Sequence, residues 1–227
     1  MQEGGRALAA LGEELERLQP VLLGLQEDDL RRTTNCPPWS IQELVVHIAD
    51  SIRLVGPLAP GDAGAALHSA ADYYRRPERG TAAYRQSNVH RMRLLASEVL
   101  MTTSSTAWLD TVAASTLATL GAQDPESIVL VPRIGSMRLD DWIATRVISV
   151  AIHGIDVAIT LGLESWTSAS ARRVTHDVLV DLLGEDPPPP LGWGLDDLLL
   201  AGTGRRTLTD TEREVLGAAA SRFPLLS

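Results

Sequence analysis

Two histidines stand out because each interrupts an apolar helical pattern. His47 shares one helical stripe with Glu43, Asp50 and Leu54, at spacings of four, three and four residues. His153 lies on a second stripe, whose other members are Trp142, Arg146, Ser149, Asp156 and Thr160. Polar side chains on a buried stripe need hydrogen-bond partners or a metal ion. If the two stripes face each other, two imidazoles meet inside a helical bundle, which is how bundles build metal sites.

A metal-free core histidine is the competing interpretation at both positions. Asp50 and Asp156 each follow one of these histidines by three residues and could accept its hydrogen bond. Two histidines are also an incomplete zinc set, since zinc takes at least three protein ligands. The other three histidines, His68, His90 and His176, lie in a predicted loop or among charged neighbours, and we interpret them as ordinary polar residues.

The composition excludes several kinds of chemistry. All 20 basic residues are arginine, so the 227-residue chain has no lysine for a Schiff base, for pyridoxal phosphate or for a standard P-loop. Cys36 is the single cysteine, which excludes an internal disulfide and clusters of thiolate ligands, and we interpret it as structural. The net charge of −9 argues against a nucleic-acid partner. Arginine in place of lysine, with abundant Ala and Leu, is typical of a GC-rich genome.

The location is expected to be cytoplasmic. The N-terminal segment has early acidic residues and no apolar run before a cleavage site, so no signal peptide is predicted. The most apolar stretch, 147–163, contains His153 and Asp156 and is too short and polar to span a bilayer. We therefore expect a small-molecule substrate as the partner and no membrane.

The elements that would position the two histidines are helices. Leucines at three- and four-residue spacing over 8–25 predict a first amphipathic helix, kinked or broken at Pro20. Ser40 and Glu43 form a capping box that predicts the start of a second helix, which Gly56-Pro57 would end. A loop or short extended piece is expected over 123–138. Further helices are expected over about 81–101, 106–120, 139–161, 168–183, 195–201 and 209–220.

The pattern as a whole predicts an all-α fold, with no internal repeat and no parallel sheet. We divide it into a helical bundle over residues 1–163 and a helical C-terminal extension over 164–227. Exposed apolar faces on such bundles also allow a homodimer.

Two segments resemble a known family. Residues 36–47, CPPWSIQELVVH, are similar to the opening of the second helix in DinB-like proteins, and most of all in the mycothiol-dependent maleylpyruvate isomerase N-terminal family. Residues 135–156, GSMRLDDWIATRVISVAIHGID, are similar to that family's histidine-bearing helix, and the ending over 203–224 is like the tails of its actinobacterial members. The resemblance spans most of the chain and implies a DinB-like four-helix bundle.

The resemblance also implies a metal and a thiol. Such proteins hold a divalent metal, usually zinc, with a histidine on the second helix and a Glu-x-x-x-His pair on the fourth. The metal activates mycothiol for isomerisation or S-transfer, since the thiolate is the nucleophile. His47 and His153 match the two histidine ligands, whereas Ser149 stands in place of the glutamate.

Three interpretations of Ser149 remain open. Asp50 or Asp156 replaces the missing carboxylate, or a weaker site of two histidines and water survives. Otherwise the metal is lost, and His47, His153 and Ser149 act as hydrogen-bonding or acid–base groups, with Ser149 four residues before His153 as a conceivable nucleophile.

Arg146 is the other residue of interest in the expected pocket. It is interpreted either as a clamp for a substrate carboxylate or as a salt-bridge partner of Asp50, Asp156 or another carboxylate, and as the only cation near the pocket. Trp39 and Trp142 are expected to wall the pocket, so these five residues form the predicted substrate-binding set.

An enzyme of small-molecule metabolism is the function we predict, with His47, His153 and Ser149 as catalytic residues. Its thiol-dependent form uses metal at His47 and His153 with mycothiol as cosubstrate. Its metal-free form acts on an anionic or polycyclic metabolite by acid–base chemistry. A binding protein that keeps the fold without catalysis is the third alternative.

Overall fold

Helices dominate the computed structural model, which describes residues 5–36 and 38–226 of the chain. The α-helices in chain order are α1 (Arg6–Leu23), α2 (Glu27–Leu30), α3 (Ile41–Ile52), α4 (Ala70–Tyr74), α5 (Ala82–Leu100), α6 (Ser105–Gly121), α7 (Leu139–Leu161), α8 (Ala169–Leu183), α9 (Leu195–Gly202) and α10 (Asp210–Leu216). Short 3₁₀ turns cover Pro77–Gly80, Pro189–Leu191 and Gly217–Arg222. The predicted all-α class is confirmed.

Four helices form the bundle that carries the histidines. α1 packs against α7, α7 against α3, α3 against α6, and α6 back against α1, while α5 lies outside on α3. The sides that meet inside this ring carry most of the fully buried aliphatic residues, including Leu11 and Leu18 of α1, Ile48 of α3 and Val147 of α7. The bundle therefore places α3 and α7 side by side.

The capping box predicted for α3 is present. The Ser40 backbone N–H donates to Glu43 Oε2 at 2.8 Å, and the Glu43 N–H donates to Ser40 Oγ at 3.4 Å. These bonds satisfy two of the N–H groups that a helix start leaves free. The helix ends at Ile52, four residues before the Gly56 stop signal.

α7 is the central helix and matches its predicted span. It ends at Gly162, whose φ of 71° lies in the left-handed region that glycine adopts without strain. Its length and apolar composition would suffice for a membrane span, and it is the one such helix among the described residues. However, 72% of its most apolar window is buried inside the structure, as in the core helix of a globular protein.

The structure makes two expectations about local structure more specific. α1 runs through Pro20 to Leu23, so of the expected kink or break the break does not occur. Pro20 lies in the last turn of α1. Its missing backbone N–H therefore affects only the end of the helix. The segment 123–138 forms an antiparallel hairpin of β1 (Ile128–Val131) and β2 (Gly135–Arg138), in which Val129 faces Met137. The hairpin leads directly into α7.

The C-terminal helices share the core of the bundle. α8 packs against both α1 and α7, and α9 packs against α8. Leu179 of α8 is fully buried, and a β-carbon built on Gly202 of α9 would lie only 3.1 Å from its side chain. Apolar residues of α8, with Leu198 of α9, thus belong to the same buried cluster as the bundle, whereas a second, smaller cluster lies within the C-terminal segment and consists of Ala201, Leu208, Leu216 and Ala220.

One shared core predicts one unfolding transition. Leu179→Ala should lower the free energy of unfolding by about 2–5 kcal/mol, because it removes buried methyl groups and leaves a cavity between α8 and its neighbours. Leu163→Ala, at a half-exposed leucine, is the matched control and should cost under about 1 kcal/mol. Urea denaturation followed by circular dichroism measures both. A separate early transition for 164–227 in the Leu179→Ala protein would contradict the shared core.

Candidate functional site

The packing of α3 against α7 brings His47 and His153 together. Their ring centroids lie 4.8 Å apart, with the rings nearly perpendicular at 71°. Trp39, just before α3, lies 4.7 Å from His47 and 6.5 Å from His153 between ring centroids. Three aromatic rings from two chain segments therefore form one buried cluster.

A cavity of about 380 Å³ opens beside these rings. Of the residues singled out from the sequence, it is lined by His47, Asp50, Arg146, Ser149 and His153. The other predicted residues contact the lining from outside the cavity. Trp39 packs against His47, the Trp142 ring lies 5.0 Å from the Arg146 guanidinium, and Asp156 binds His153. Among the described residues, Ser149 and His153 do not hydrogen-bond to each other, so the structure gives no Ser–His pair.

Asp156 is fully buried and fixes the orientation of His153. Its Oδ2 lies 3.0 Å from His153 Nδ1, and Arg205 binds both carboxylate oxygens, with Nε to Oδ1 at 3.0 Å and Nη2 to Oδ2 at 2.6 Å. Burial alone would raise the pKa of Asp156, but the hydrogen bonds from His153 and Arg205 outweigh it and hold the pKa at about 2. Because the carboxylate is ionised, it accepts a hydrogen bond from the Nδ1–H of His153, so in the neutral imidazole the lone pair lies on Nε2.

His47 is a neutral imidazole with an unused nitrogen. Its Nδ1 is buried and has no hydrogen-bond partner among the described residues. Burial holds the pKa of His47 well below its ordinary value, and the nearby His153 and the arginines of the cavity lower it further. A buried nitrogen without a hydrogen-bond partner costs free energy.

The expectation that Arg146 is the only cation near the pocket is wrong. Arg79, Arg91 and Arg205 also line the cavity. They come from the turn after α4, from α5 and from the segment after α9, so their separation in sequence hid this convergence. The YYRRPER run at 73–79 was the available signal, since it places aromatic and cationic side chains together.

The four arginines differ in how their charge is balanced. Arg91 Nη1 lies 2.7 Å from Asp50 Oδ2, and Arg205 is paired with Asp156. Arg146 instead donates to the Ser51 carbonyl at 2.7 Å and to Thr145 Oγ1 at 2.9 Å. Within the described part of the chain, neither Arg146 nor Arg79 has a carboxylate within 4 Å, so the salt bridge expected for Arg146 to Asp50 or Asp156 is not formed.

Cys36 also reaches the site. Its Sγ, a His153 ring nitrogen and an Asp156 oxygen lie within 4.8 Å of one another, a spacing that a metal ion could bridge. Burial raises the pKa of the Cys36 thiol to about 11, and the negative charge of Asp156 adds to this effect against the opposing charge of Arg205. At neutral pH the sulfur is therefore a thiol and a weak ligand.

The residues present do not fit the divalent metal that the resemblance implies. Ser149 supplies a neutral hydroxyl where the family has a carboxylate. The two carboxylates considered as replacements are in ion pairs, Asp50 with Arg91 and Asp156 with Arg205. His47 lies outside the Cys36–His153–Asp156 group, and the guanidinium groups around the cavity would repel a dication.

The comparisons with known proteins agree with the bundle. The family model described as Mycothiol maleylpyruvate isomerase N-terminal domain matches residues 11–158. No curated protein and no solved structure gives a match. The matched region contains His47 and His153, whereas Arg205 lies beyond it.

The charge of the site predicts its behaviour toward zinc. Protein purified without an affinity tag should retain less than about a tenth of an equivalent of zinc after dialysis, because the site lacks a free carboxylate. Ser149→Glu should retain close to one equivalent, since it places a carboxylate four residues before His153. Metal analysis by mass spectrometry compares the two proteins, with Ser51→Glu as a control for added charge. Stoichiometric zinc in the unsubstituted protein would contradict our conclusion about the site.

Proposed function

Since the chain belongs to the mycothiol maleylpyruvate isomerase N-terminal domain family, we propose that it is an enzyme of small-molecule metabolism that binds an anionic substrate and acts on it by acid–base chemistry at His153. The charge of the cavity is the observation that carries this proposal. Within the described residues, two of its four guanidinium groups form ion pairs, Arg91 with Asp50 and Arg205 with Asp156, whereas Arg79 and Arg146 have no carboxylate within 4 Å.

A dianion is the substrate class that suits this pair. Guanidinium groups bind carboxylate and phosphate oxygens through charge-assisted hydrogen bonds, and two such groups match two negative charges. The volume of about 380 Å³ suits a small metabolite. A positive cavity in a protein of net charge −9 also indicates that these cations serve a local purpose.

His153 is the acid–base residue in this proposal. Asp156 holds its Nδ1 proton, so Nε2 can take a proton from the substrate, and the imidazolium formed is stabilised by the buried carboxylate. The same nitrogen can return the proton to another substrate atom, which completes an isomerisation without an oxidant or reductant. His47 and Ser149 then act as hydrogen-bonding groups toward the bound substrate.

Mycothiol as a cosubstrate is the second candidate, favoured by the family match. In that version His153 Nε2 takes the thiol proton, and the thiolate adds to a carbon–carbon double bond conjugated with a carbonyl. The displaced electron pair moves to the carbonyl oxygen, where a guanidinium group stabilises it. Rotation and loss of the thiolate, with return of the proton, give the isomer. Cys36 is unsuited to this role because its pKa is about 11. The cytoplasmic location and the homodimer remain predictions.

Binding of a dicarboxylate tests the cavity directly. Maleate should raise the melting temperature, and neutral maleamide should not, because only the dianion pairs with both free guanidinium groups. Arg79→Met and Arg146→Met should each weaken maleate binding about tenfold or more, as expected for one lost charge-assisted hydrogen bond. Arg93→Met, at an exposed arginine outside the cavity, removes the same charge and should leave binding unchanged. Equal effects of all three substitutions would contradict a specific site.

Turnover tests the role of His153. Maleylpyruvate and related dicarboxylates, assayed with and without mycothiol, should be converted by the unsubstituted protein, and His153→Ala should lose at least about a hundredfold in kcat. A chelator should have no effect, since the residues do not fit a metal. His90→Ala on α5 is the control. Undiminished turnover by His153→Ala rejects the mechanism, and a ligand-induced rise in melting temperature without product for any substrate favours the non-catalytic binding protein.

A further inference from the structure

Tyr73 occupies an unusual position on the wall of the cavity. It lies near the end of α4 and lines the cavity, and three guanidinium groups lie close to its ring. The distance from the guanidinium carbon Cζ to the Tyr73 ring centroid is 4.7 Å for Arg76, 5.0 Å for Arg146 on α7 and 5.2 Å for Arg79. The only acidic side chain near these cations is Glu78, 3.6 Å from Arg76, within the described residues.

The neighbouring Tyr74 differs from Tyr73 in its hydrogen bonding and in its pKa. Tyr74 packs against Tyr73 edge to face at 5.2 Å, but its hydroxyl donates to the Thr145 carbonyl at 3.0 Å. Burial raises the pKa of Tyr74 above its ordinary value. No described carbonyl or carboxylate accepts a hydrogen bond from the Tyr73 hydroxyl, which is therefore free to donate into the cavity.

The same cations make the Tyr73 hydroxyl acidic. Burial alone would raise its pKa, as it does for Tyr74. The positive charge of Arg146, its hydrogen bonding, and the charges of Arg79 and Arg76 outweigh burial and lower the pKa of Tyr73 to about 8. A phenol in this range is largely protonated at pH 7 and yet gives up its proton readily.

We infer that Tyr73 is a second acid–base residue of the cavity, a general acid that gives its phenolic proton to the substrate while His153 takes one. This inference rests on the proposed function and adds a residue to it. An isomerisation needs a proton removed at one substrate atom and supplied at another. With two separate groups, His153 does not have to reach both substrate atoms. After turnover, His153 loses a proton and the Tyr73 phenolate gains one, so the site returns to its starting state.

The guanidinium groups have a second role in this arrangement. Once Tyr73 has lost its proton, the phenolate is stabilised by Arg79 and Arg146, the two cations without carboxylate partners. The dianionic substrate competes for the same charges. A bound dianion should therefore raise the pKa of Tyr73 and keep the phenol protonated until chemistry begins, which ties proton donation to occupancy of the site.

Ultraviolet titration tests Tyr73 without any substrate. The chain has only three tyrosines, Tyr73, Tyr74 and Tyr84, so tyrosinate absorbance near 295 nm can be assigned by substitution. One tyrosine equivalent should ionise near pH 8, disappear in Tyr73→Phe and persist in Tyr84→Phe. Arg146→Met should move the transition upward by about one pH unit or more, because it removes the positive charge that lowers the pKa of Tyr73 most. The inference is overturned if no tyrosine ionises below about pH 9.5, or if Tyr84→Phe removes the transition.

Kinetics test the catalytic role. Tyr73→Phe should lower kcat by about a hundredfold or more with little change in KM. In the unsubstituted enzyme, kcat/KM, which reports the free enzyme, should fall as pH rises through about 8, because the acid must be protonated, and this fall should be absent from Tyr73→Phe. Arg93→Met, at an exposed arginine outside the cavity, is the control and should keep both rate and pH profile. Full activity of a folded Tyr73→Phe protein rejects the inference while His153→Ala still tests the proposed function separately.

Discussion

The buried carboxylate of Asp156 is the constraint on which the site depends. A carboxylate with no exposure to water must be paired, and removal of one partner would leave a charge in a medium that cannot solvate it. Arg205 and His153 provide the pairing together. Because Arg205 follows α9, this ion pair ties the C-terminal segment to α7. It also fixes the tautomer of His153, so one interaction links the architecture to the chemistry.

The same ion pair explains why the site departs from a metal centre. In the family to which the chain belongs, the expected ligand set is two histidines and a glutamate, whereas this chain has Ser149 at the glutamate position. A free Asp156 could have compensated, but its oxygens accept hydrogen bonds from Arg205 and His153. The surrounding arginines then favour an anion over a dication. Under the proposed function, the charge of the substrate takes the place of the metal charge that the family resemblance implies.

Much of the fold could be predicted because local signals agreed with the packing. The leucine spacing of α1, the capping box at Ser40 and the glycine at 162 each act within a few residues, and the structure contains all three features. The break expected at Pro20 failed because the helix had already formed most of its turns before that residue. The hairpin at 128–138 was underestimated, since its strands of four residues each carry too little pattern to show pairing.

The amino-acid sequence by itself determined the all-α class, the helices that carry His47 and His153, and the absence of lysine chemistry. It also identified the exchange of a family glutamate for Ser149. Only the tertiary structure decided that Arg79, Arg91 and Arg205 join Arg146 around one cavity, and which of these cations are left without a carboxylate. The reason is physical: helix periodicity is set by neighbours along the chain, whereas ion pairing and pKa depend on distances between segments that only the folded packing brings together.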